Sequence, residues 1–280
     1  MDEQEILNRW VSSNSGFSQV EVWNEAAAGY ASQPLPTFEM DPFLQFMAHD
    51  IGLCNGAATE MSVLDIGCGA GGYSLALAPY VKHVVGCDLS PNMIEAANQR
   101  AHVRGVTNAT FVCADFIDFA NRISSETSLL PELDRGHFDI VFAHFTPALS
   151  SGTAFQKMMS LAKSWCFVAM PTRRTDFVLE EARKRVGVAP KSSTRDENCL
   201  YTYTLAWLAG KTPRVEHYDD VWIDQRNLFD AGEIYANHLV AKDLSPEQKA
   251  CVKSYLSSIA QEGIVYERIE TTIVMMGWHM

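Results

Sequence analysis

The sequence predicts an α/β fold built on a doubly wound, mostly parallel sheet. Short apolar segments, such as residues 63–66 and 84–87, alternate with helical segments, and such segments are typical of parallel strands covered on both faces. The first apolar segment leads through a glycine-rich turn into a helix, as ligand-binding strand ends do in open sheets. The chain has 280 residues, 47% of them hydrophobic, which is enough for a large core.

The glycine-rich turn has the sequence DIGCGAGG over residues 65–72. Its alternate glycines remove the Cβ atoms from the turn, so a ligand can lie against the backbone. Asp65 is a carboxylate at the end of an apolar strand and needs hydrogen bonds or a ligand. The spacing of Gly67, Gly69 and Gly72 also satisfies the dinucleotide fingerprint, but an acid beside the loop works against binding a pyrophosphate. A turn with a purely structural role is the remaining alternative.

Composition limits the partners. The net charge of -12 and the pI near 5.1 argue against non-specific binding to nucleic acid or to an anionic membrane. No apolar segment is long enough to cross a bilayer, and the acidic start of the chain predicts no signal peptide. The seven cysteines form no C-x-x-C pair, which predicts a cytoplasmic protein without structural zinc. His217, Asp219 and Asp220 are expected to be solvated, so no metal site is predicted.

Acidic side chains also end the next two predicted strands. Asp88 follows Gly67 by about twenty residues, the distance at which an acidic strand end meets ribose hydroxyls. A carboxylate only accepts hydrogen bonds, so it can take both ribose O–H groups. Ser90 is predicted to cap the following helix. Asp115 follows the third strand, where an acid is common, and it is therefore the weaker candidate.

The acid-x-Gly-x-Gly-x-Gly pattern that begins at Asp65 closely resembles the cofactor loop of class I S-adenosylmethionine-dependent methyltransferases. The resemblance covers residues 62–170 well. It implies S-adenosylmethionine as cofactor and a seven-stranded, Rossmann-like sheet whose last strand is antiparallel. In such proteins the acid at 65 holds the methionine part through the loop, and residues 115 and 116 meet the adenine. The cofactor residues implied in this way are Asp65, Gly67, Cys68, Gly69, Asp88, Leu89, Asp115, Phe116, Tyr30 and His144.

The segment at residues 22–30 resembles a tryptophan-to-tyrosine segment that precedes the glycine loop in many small-molecule methyltransferases. There it folds over the cofactor, and the tyrosine, here Tyr30, can face the sulfonium as a catalytic residue, because an aromatic face attracts a cation. Alternatively, Trp23 and Tyr30 only pack a helical cap onto the core. Both interpretations are open from the sequence.

His144 follows the fourth predicted strand, at the sheet edge where ligands bind. It is the best-placed candidate for a general base, because its ordinary pKa lies near neutrality. Alternatively, it only holds the loop, since methyl transfer can require no more than alignment. Residues 144–149 lack the Asn/Asp-Pro-Pro-aromatic motif of nucleic-acid amino methyltransferases, which disfavours a DNA or RNA base as substrate. Arg173 and Arg174 could hold an anionic substrate, although surface charge is the default for arginine.

The chain is predicted to divide into a helical N-terminal cap (1–60), a cofactor-binding core (61–170), a segment with a helix, a sixth strand and a lid (171–262), and a final strand (263–280). Within these regions, Asp41, Asp230 and Ser245 are predicted to begin helices.

The predicted function is methyl transfer from S-adenosylmethionine, by in-line displacement, to an O, N, S or C atom of a small molecule. Neither nucleic acid nor membrane is an expected partner, and a homodimer is left open. One alternative is a nicotinamide-dependent oxidoreductase, for which the sequence shows no hydride-transfer residue and no second domain. The other is a non-catalytic protein that binds S-adenosylmethionine, which the sequence alone does not distinguish from an enzyme.

Overall fold

The computed structural model describes residues 2–11, 20–53, 56–123, 138–189, 194–241 and 243–280. The helices are α1 Glu3–Arg9, α2 Val20–Ser32, α3 Pro42–Ile51, α4 Gly72–Leu77, α5 Pro91–Arg104, α6 Phe116–Ile123, α7 Gly152–Leu161, α8 Phe177–Arg185, α9 Thr194–Leu208, α10 Leu228–Ile234 and α11 Pro246–Ile259. The strands are β1 Ser62–Ile66, β2 His83–Asp88, β3 Ala109–Cys113, β4 Phe138–His144, β5 Ala162–Asp176, β6 Arg214–Asn227 and β7 Ile264–His279. None of the helices in the described part of the chain is both long and apolar enough to cross a membrane.

The strands form a seven-stranded sheet in the order β3-β2-β1-β4-β5-β7-β6. The pairs β1–β2, β2–β3, β1–β4 and β4–β5 are all parallel. β7 is antiparallel to β5. Ser164 near the start of β5 accepts the N–H of Met280, whereas Thr172 further along β5 donates its hydroxyl to the carbonyl of Thr272, so residue numbers in β7 fall as those in β5 rise. The predicted α/β fold with a seven-stranded, Rossmann-like sheet and an antiparallel last strand is thereby confirmed.

The order of the strands determines where a ligand site can form. β1 is buried along its whole length and lies between β2 and β4, so the sheet reverses its winding direction at this strand. In open α/β sheets the crevice at such a reversal, beyond the carboxyl ends of the strands, is where ligands bind. The loops that leave β1 after Ile66 and β4 after His144 border this crevice.

The described residues belong to two compact units. The first comprises Met1–Met170, Asn198–Glu216 and Met275–Met280, and the second comprises Pro171–Glu197 and His217–Val274. In the first unit, α5 packs on β2 and β3, and α7 packs on β4. In the second, α8, α10 and α11 enclose an apolar cluster that includes Val178, Tyr235 and Leu256. The functional division into cap, core and lid stays a prediction.

Two predicted boundaries in the second unit are wrong. The apolar residues 165–170 predict a fifth strand that ends at Met170, but β5 continues to Asp176, because the Thr172 hydroxyl donates to the carbonyl of Thr272 and so continues the pairing with β7. Arg173 and Arg174 therefore lie within β5. Asp230 does not cap α10. Asn227 takes that role, since its side chain accepts the backbone N–H of Asp230.

Ser245 begins α11 as predicted, with a complete capping box. Its hydroxyl accepts the N–H of Gln248, whose side chain accepts the N–H of Ser245. We expect Ser245→Ala to lower the free energy of unfolding by about 1 kcal/mol, because an N–H of the first turn loses its acceptor. Denaturant titration measures this loss. Ser254→Ala, at an exposed position in the same helix, is the control and should be neutral or slightly stabilising, since alanine favours helices. Equal losses in the two variants would contradict the assigned cap.

Candidate functional site

The glycine loop after β1 is folded back onto the end of β2. The N–H groups of Gly67 and Cys68 both donate to the Cys87 carbonyl, at 2.8 and 3.1 Å. Gly67, Gly69 and Gly71 have φ values of 67°, 52° and 75°, in the left-handed region that favours glycine. The sequence therefore needs glycine at these positions for the backbone conformation alone, whether or not a ligand binds.

The glycines differ in what surrounds them. A Cβ on Gly67 would lie 2.0 Å from Thr146 Oγ1 and 2.7 Å from Thr146 Cβ, so the loop after β4 packs directly on Gly67. A Cβ on Gly69 would have Met93 Sδ, at 3.8 Å, as its nearest neighbour. The protein thus closes on Gly67 and leaves space beside Gly69. A ligand lying on the loop could use this space, and a side chain at residue 69 would fill it.

Asp88 holds the loop in place. Its Oδ2 accepts the N–H of Gly69 at 3.0 Å, and its Oδ1 accepts the N–H of Ser90 at 2.9 Å. Burial raises the pKa of Asp88, and the hydrogen bonds from Ser90 and Gly69 oppose this shift. Each carboxylate oxygen has two lone pairs, so these bonds leave acceptor capacity for hydroxyl donors. The predicted contact with a ribose is compatible with this geometry and stays a prediction.

Asp65 is almost fully buried and points back into the fold. Its Oδ2 accepts the hydroxyl of Ser74, in the first turn of α4, at 2.6 Å. Burial raises the pKa of Asp65 to about 7, against the lowering effect of the Ser74 hydrogen bond. Asp65 therefore links β1 to α4 and can act on a ligand only through the loop between them.

The remaining residues predicted around the adenosine lie after β2 and β3. The thiol of Cys68 is buried, and burial raises its pKa, so it stays protonated. Leu89 is partly buried, and its carbonyl accepts from Cys113 Sγ at 3.7 Å. Asp115 is exposed and its Oδ1 accepts the N–H of Ile117 at 2.8 Å, which makes it a cap of α6. Phe116 is buried. Their roles toward a ligand stay predictions.

Helix α2, which carries Tyr30, is fastened beside Asp88. Asn24 accepts the Ser90 hydroxyl at 2.7 Å. The rings of Trp23 and Tyr30 meet edge to face at 6.4 Å, and Tyr30 is 44% exposed. Tyr30 therefore packs on Trp23 and also keeps exposed surface, so packing and contact with a ligand both stay open.

Sequence reasoning missed Arg100. Its buried guanidinium donates to the carbonyls of Ala70 at 2.9 Å and Gln33 at 2.8 Å, so it joins the glycine loop to the segment after α2. The sequence signal that could have found it is an arginine between Ala97 and Ala101, which lie on the buried face of α5.

His144 lies at the end of β4 in a chain of hydrogen bonds. Its Nε2 is 3.0 Å from the hydroxyl oxygen of Tyr73, which donates to Asp41 Oδ2 at 2.7 Å. Asp41 Oδ1 accepts the N–H of Leu44 and caps α3, as predicted. Burial lowers the pKa of His144 to about 3, so the ring is neutral over the ordinary range of pH. Sequence reasoning found His144 but missed Tyr73 and Asp41 as its partners.

The backbone after His144 is strained. Phe145 has a φ of 50°, which is unusual for a bulky residue, and its ring stacks on His144 with 3.9 Å between centroids. Such conformations persist only where the surroundings impose them, and they cluster at functional sites. Here the strain holds an aromatic ring on one face of His144 and brings Thr146 onto Gly67.

The two arginines that were considered as substrate ligands lie in the second unit. Arg173 donates its N–H to Asp196, and the guanidinium of Arg174 lies 5.5 Å from the ring centre of Trp222. Within the described ranges, no three His, Cys, Asp or Glu side chains are grouped so that they could hold a metal ion.

In comparisons with known proteins, residues 58–185 match a family described as "Methyltransferase domain". The uncharacterized methyltransferase YcgJ of Bacillus subtilis (strain 168) is 43% identical over 65 residues, which are 22% of this chain and 26% of that protein. The 23S rRNA (uracil(1939)-C(5))-methyltransferase RlmD of Marinomonas sp. (strain MWYL1) is 43% identical over 53 residues, 19% of this chain and 12% of that protein. In these sequence matches the chain spans only about a quarter of the length of the first relative and about an eighth of the second.

Among solved structures, YcgJ of Bacillus subtilis aligns with a TM-score of 0.43 at 19% identity, covering 82% of this chain and 97% of that one. Magnesium protoporphyrin IX methyltransferase (ChlM) of Synechocystis PCC 6803, solved with bound SAH, aligns with a TM-score of 0.43 at 15% identity, covering 97% and 93% of the two chains.

The different surroundings of Gly67 and Gly69 give a test of the loop. We expect Gly69→Ala to destabilise the protein by only about 1–2 kcal/mol, the strain of a left-handed non-glycine residue. Gly67→Ala should destabilise it by clearly more, because the new methyl group also overlaps Thr146. Denaturant unfolding of both variants measures the difference. The assigned packing of Thr146 on Gly67 is wrong if the two losses are equal.

The raised pKa of Asp65 predicts a pH dependence of stability in the ligand-free protein. The folded chain keeps the proton up to about pH 7, whereas the unfolded chain loses it near the ordinary value of 3.8. The folded state therefore binds more protons between these values, and its stability falls as the pH rises through this window. Asp65→Asn can still accept from Ser74 but does not titrate. Its stability relative to wild type should rise by up to about 4 kcal/mol between pH 4 and 7.

Denaturant unfolding at several pH values measures this change, with Glu95→Gln, at an exposed position on α5, as the control. A stability difference between Asp65→Asn and wild type that stays constant with pH would show that Asp65 is ionised in the fold.

Proposed function

We propose that the chain is an S-adenosylmethionine-dependent methyltransferase that acts on a small molecule, because residues 58–185 match a family described as "Methyltransferase domain" and the sheet has the strand order β3-β2-β1-β4-β5-β7-β6. The observation that carries the proposal is the glycine loop. It is held by Asp88 on one side and packed on Thr146 on the other, with space left beside Gly69. The loop lies at the strand ends where the sheet reverses its winding direction.

The residues around the loop fit the chemical parts of S-adenosylmethionine. The acceptor capacity of Asp88 suits the two ribose hydroxyls, and Asp115 and Phe116 lie after the neighbouring strand, where an adenine would follow. The half-exposed ring of Tyr30 is on the helix fastened beside Asp88 and suits a sulfonium. When bound, the cofactor supplies an electrophilic methyl group.

The contribution of the protein is alignment and exclusion of water. In-line displacement requires the acceptor atom and the methyl carbon to be held in one geometry, which can supply most of the rate enhancement. Residues 144–146 follow β4 across from the glycine loop, and their position supports a role in placing the acceptor. His144 is neutral here and can take part as a hydrogen-bond acceptor or a base.

The nature of the acceptor is part of the proposal. The net charge of -12 disfavours a nucleic-acid substrate, because such binding relies on many lysine and arginine contacts with phosphate. Some of the curated relatives carry the names of RNA methyltransferases, but the matches to them span only 18% to 27% of this chain. A small molecule is therefore the proposed substrate. A cytoplasmic location, supported by the cysteine pattern, is a further part of the proposal.

Isothermal titration calorimetry with S-adenosylmethionine, S-adenosylhomocysteine and NAD tests the cofactor. We expect the two adenosyl ligands to bind and NAD not to bind. Asp88→Ala should weaken binding roughly 100-fold, because two charge-assisted hydrogen bonds are lost and the loop loses its bond to Gly69. Glu95→Ala, an acid-to-alanine change at an exposed position on α5, should leave binding unchanged. Circular dichroism of each variant checks that it is folded.

Binding of NAD alone would overturn the methyltransferase proposal in favour of an oxidoreductase. A folded wild-type protein that binds none of the three ligands would contradict it as well. Binding of the adenosyl ligands without release of S-adenosylhomocysteine, in assays with phenols, thiols, amines and carboxylic acids, would favour a non-catalytic binding protein.

A further inference from the structure

We propose that Asp41, Tyr73 and His144 form a proton-accepting chain that receives the proton of a hydroxyl group on the methyl acceptor, so that the reaction is an O-methylation. The proposal rests on the proposed function and names the substrate class of the same site. His144 is the residue that would touch the acceptor, and Tyr73 and Asp41 are positioning residues.

The three residues of the proton-accepting chain come from three separate elements. Asp41 is the cap of α3, Tyr73 lies in the first turn of α4, and His144 ends β4. The two links are 2.7 Å from Tyr73 to Asp41 and 3.0 Å from His144 to Tyr73, both within hydrogen-bond distance. Tyr73 directly follows the glycine loop, so the chain reaches the strand ends where the cofactor is proposed to bind.

The chemistry of the three groups determines where the protons are. A carboxylate accepts only, so the hydroxyl proton of Tyr73 points to Asp41. The oxygen of Tyr73 then accepts, and the proton between it and His144 belongs to Nε2. A neutral imidazole carries one N–H, which makes Nδ1 the atom with the lone pair. We assign the Nε2–H tautomer from this network.

The surroundings of the ring make Nδ1 the reactive atom. Phe145 stacks on the imidazole at 3.9 Å, the ring of Tyr73 lies at 4.2 Å, and Nε2 is bonded. Among the residues that the structure describes, Nδ1 has no hydrogen-bond partner. In these residues, the buried side-chain atoms that lack a hydrogen-bond partner are Trp10 Nε1, Arg100 Nε and Tyr235 Oη. Nδ1 of His144 is not one of them. Nδ1 is thus left for a donor on a bound molecule.

The proton-accepting chain also explains how a weakly basic histidine can act as a general base. Burial opposes an imidazolium at this site, so His144 alone is a poor proton acceptor. A hydroxyl oxygen becomes strongly acidic as it bonds to the methyl group, and a weak base is then sufficient. The acceptor O–H breaks as Nδ1–H forms, the Nε2 proton passes to Tyr73, and the Tyr73 proton passes to Asp41. Neither a lasting imidazolium nor a phenolate is formed. Once the product has left, Nδ1 gives its proton to water and the proton held by Asp41 returns through Tyr73 to Nε2, so the resting tautomer is restored and one proton is released in each turnover.

The substrate class follows from this direction of transfer. A hydroxyl that keeps its proton at neutral pH, such as a phenol, an enol or an alcohol, needs a group that removes the proton. A carboxylate has already lost its proton, a thiol ionises readily near neutral pH without such a base, and an amine attacks through its lone pair before it loses a proton, so these acceptors gain less from the proton-accepting chain. Among the O, N, S and C acceptors left open by the sequence, the geometry therefore points to a hydroxyl oxygen.

The tautomer can be measured without an acceptor. In ¹⁵N-labelled protein, the long-range NMR correlations of histidine rings distinguish Nε2–H from Nδ1–H, and His144→Gln identifies the signals. We expect the Nε2–H form at pH 7 in wild type and a mixture of tautomers in Tyr73→Phe, which lacks the accepting oxygen. Tyr80→Phe, which removes a phenol hydroxyl just after α4, should change nothing. An Nδ1–H tautomer or an imidazolium at pH 7 in wild type would overturn the proposal.

Kinetics supply the second arm. With a hydroxyl acceptor found in a panel of phenols and enols, Tyr73→Phe and Asp41→Asn should lower kcat about 100-fold with little change in KM, the scale of general base catalysis. Asparagine still caps α3, so Asp41→Asn tests the relay and not the helix. Both variants should bind S-adenosylmethionine as wild type does in the calorimetric titration. If the two variants bind the cofactor normally and kcat is unchanged, the proton-accepting chain is rejected and the proposed function stands. If the wild-type protein does not bind the cofactor, the proposed function itself is rejected.

Discussion

The hydrogen bonds between the glycine loop and the end of β2 are the constraint on which the rest of the site depends. The Cys87 carbonyl accepts two successive N–H groups of the loop, and the Asp88 carboxylate accepts a third from Gly69. These bonds fix the loop in a left-handed conformation that only glycine adopts cheaply. With the loop fixed, Thr146 can pack on Gly67, and Asp65 can reach the first turn of α4. A change at any of these residues would be transmitted to the others.

Burial dominates the electrostatics of the site. It raises the pKa of Asp65 and lowers that of His144, so it disfavours the charged form of an acid and of a base alike. Asp65 and His144 are therefore neutral in the ligand-free site, and the carboxylates of Asp88 and Asp41 supply its charge. A cationic cofactor near the loop would favour ionised Asp65 and would therefore couple its binding to release of a proton.

The sequence was sufficient where the determinants are local. The strand, turn and helix around residues 63–77 follow from apolar runs and glycines that are adjacent in the chain, and Asp88 and His144 were placed because each ends a strand. The partners of these residues could not be found in that way. Tyr73 is 71 positions from His144 and 32 from Asp41, so only the folded topology brings the three together. The error at α10 has a local cause, since Asn227 and Asp230 are both good caps and the end of β6 decided between them.

The proposed relay also divides the work between segments of the chain. The glycine loop, Asp88 and His144 lie within residues 58–185, the region that matches the family described as "Methyltransferase domain". Asp41 lies outside it, on a helix that precedes the first strand. If the proton leaves the acceptor through Tyr73 to Asp41, the group at the end of the relay is supplied by a segment outside the matched region. Selectivity for a hydroxyl acceptor would then be a property of the N-terminal segment, added to a domain that by itself provides only the cofactor and the histidine.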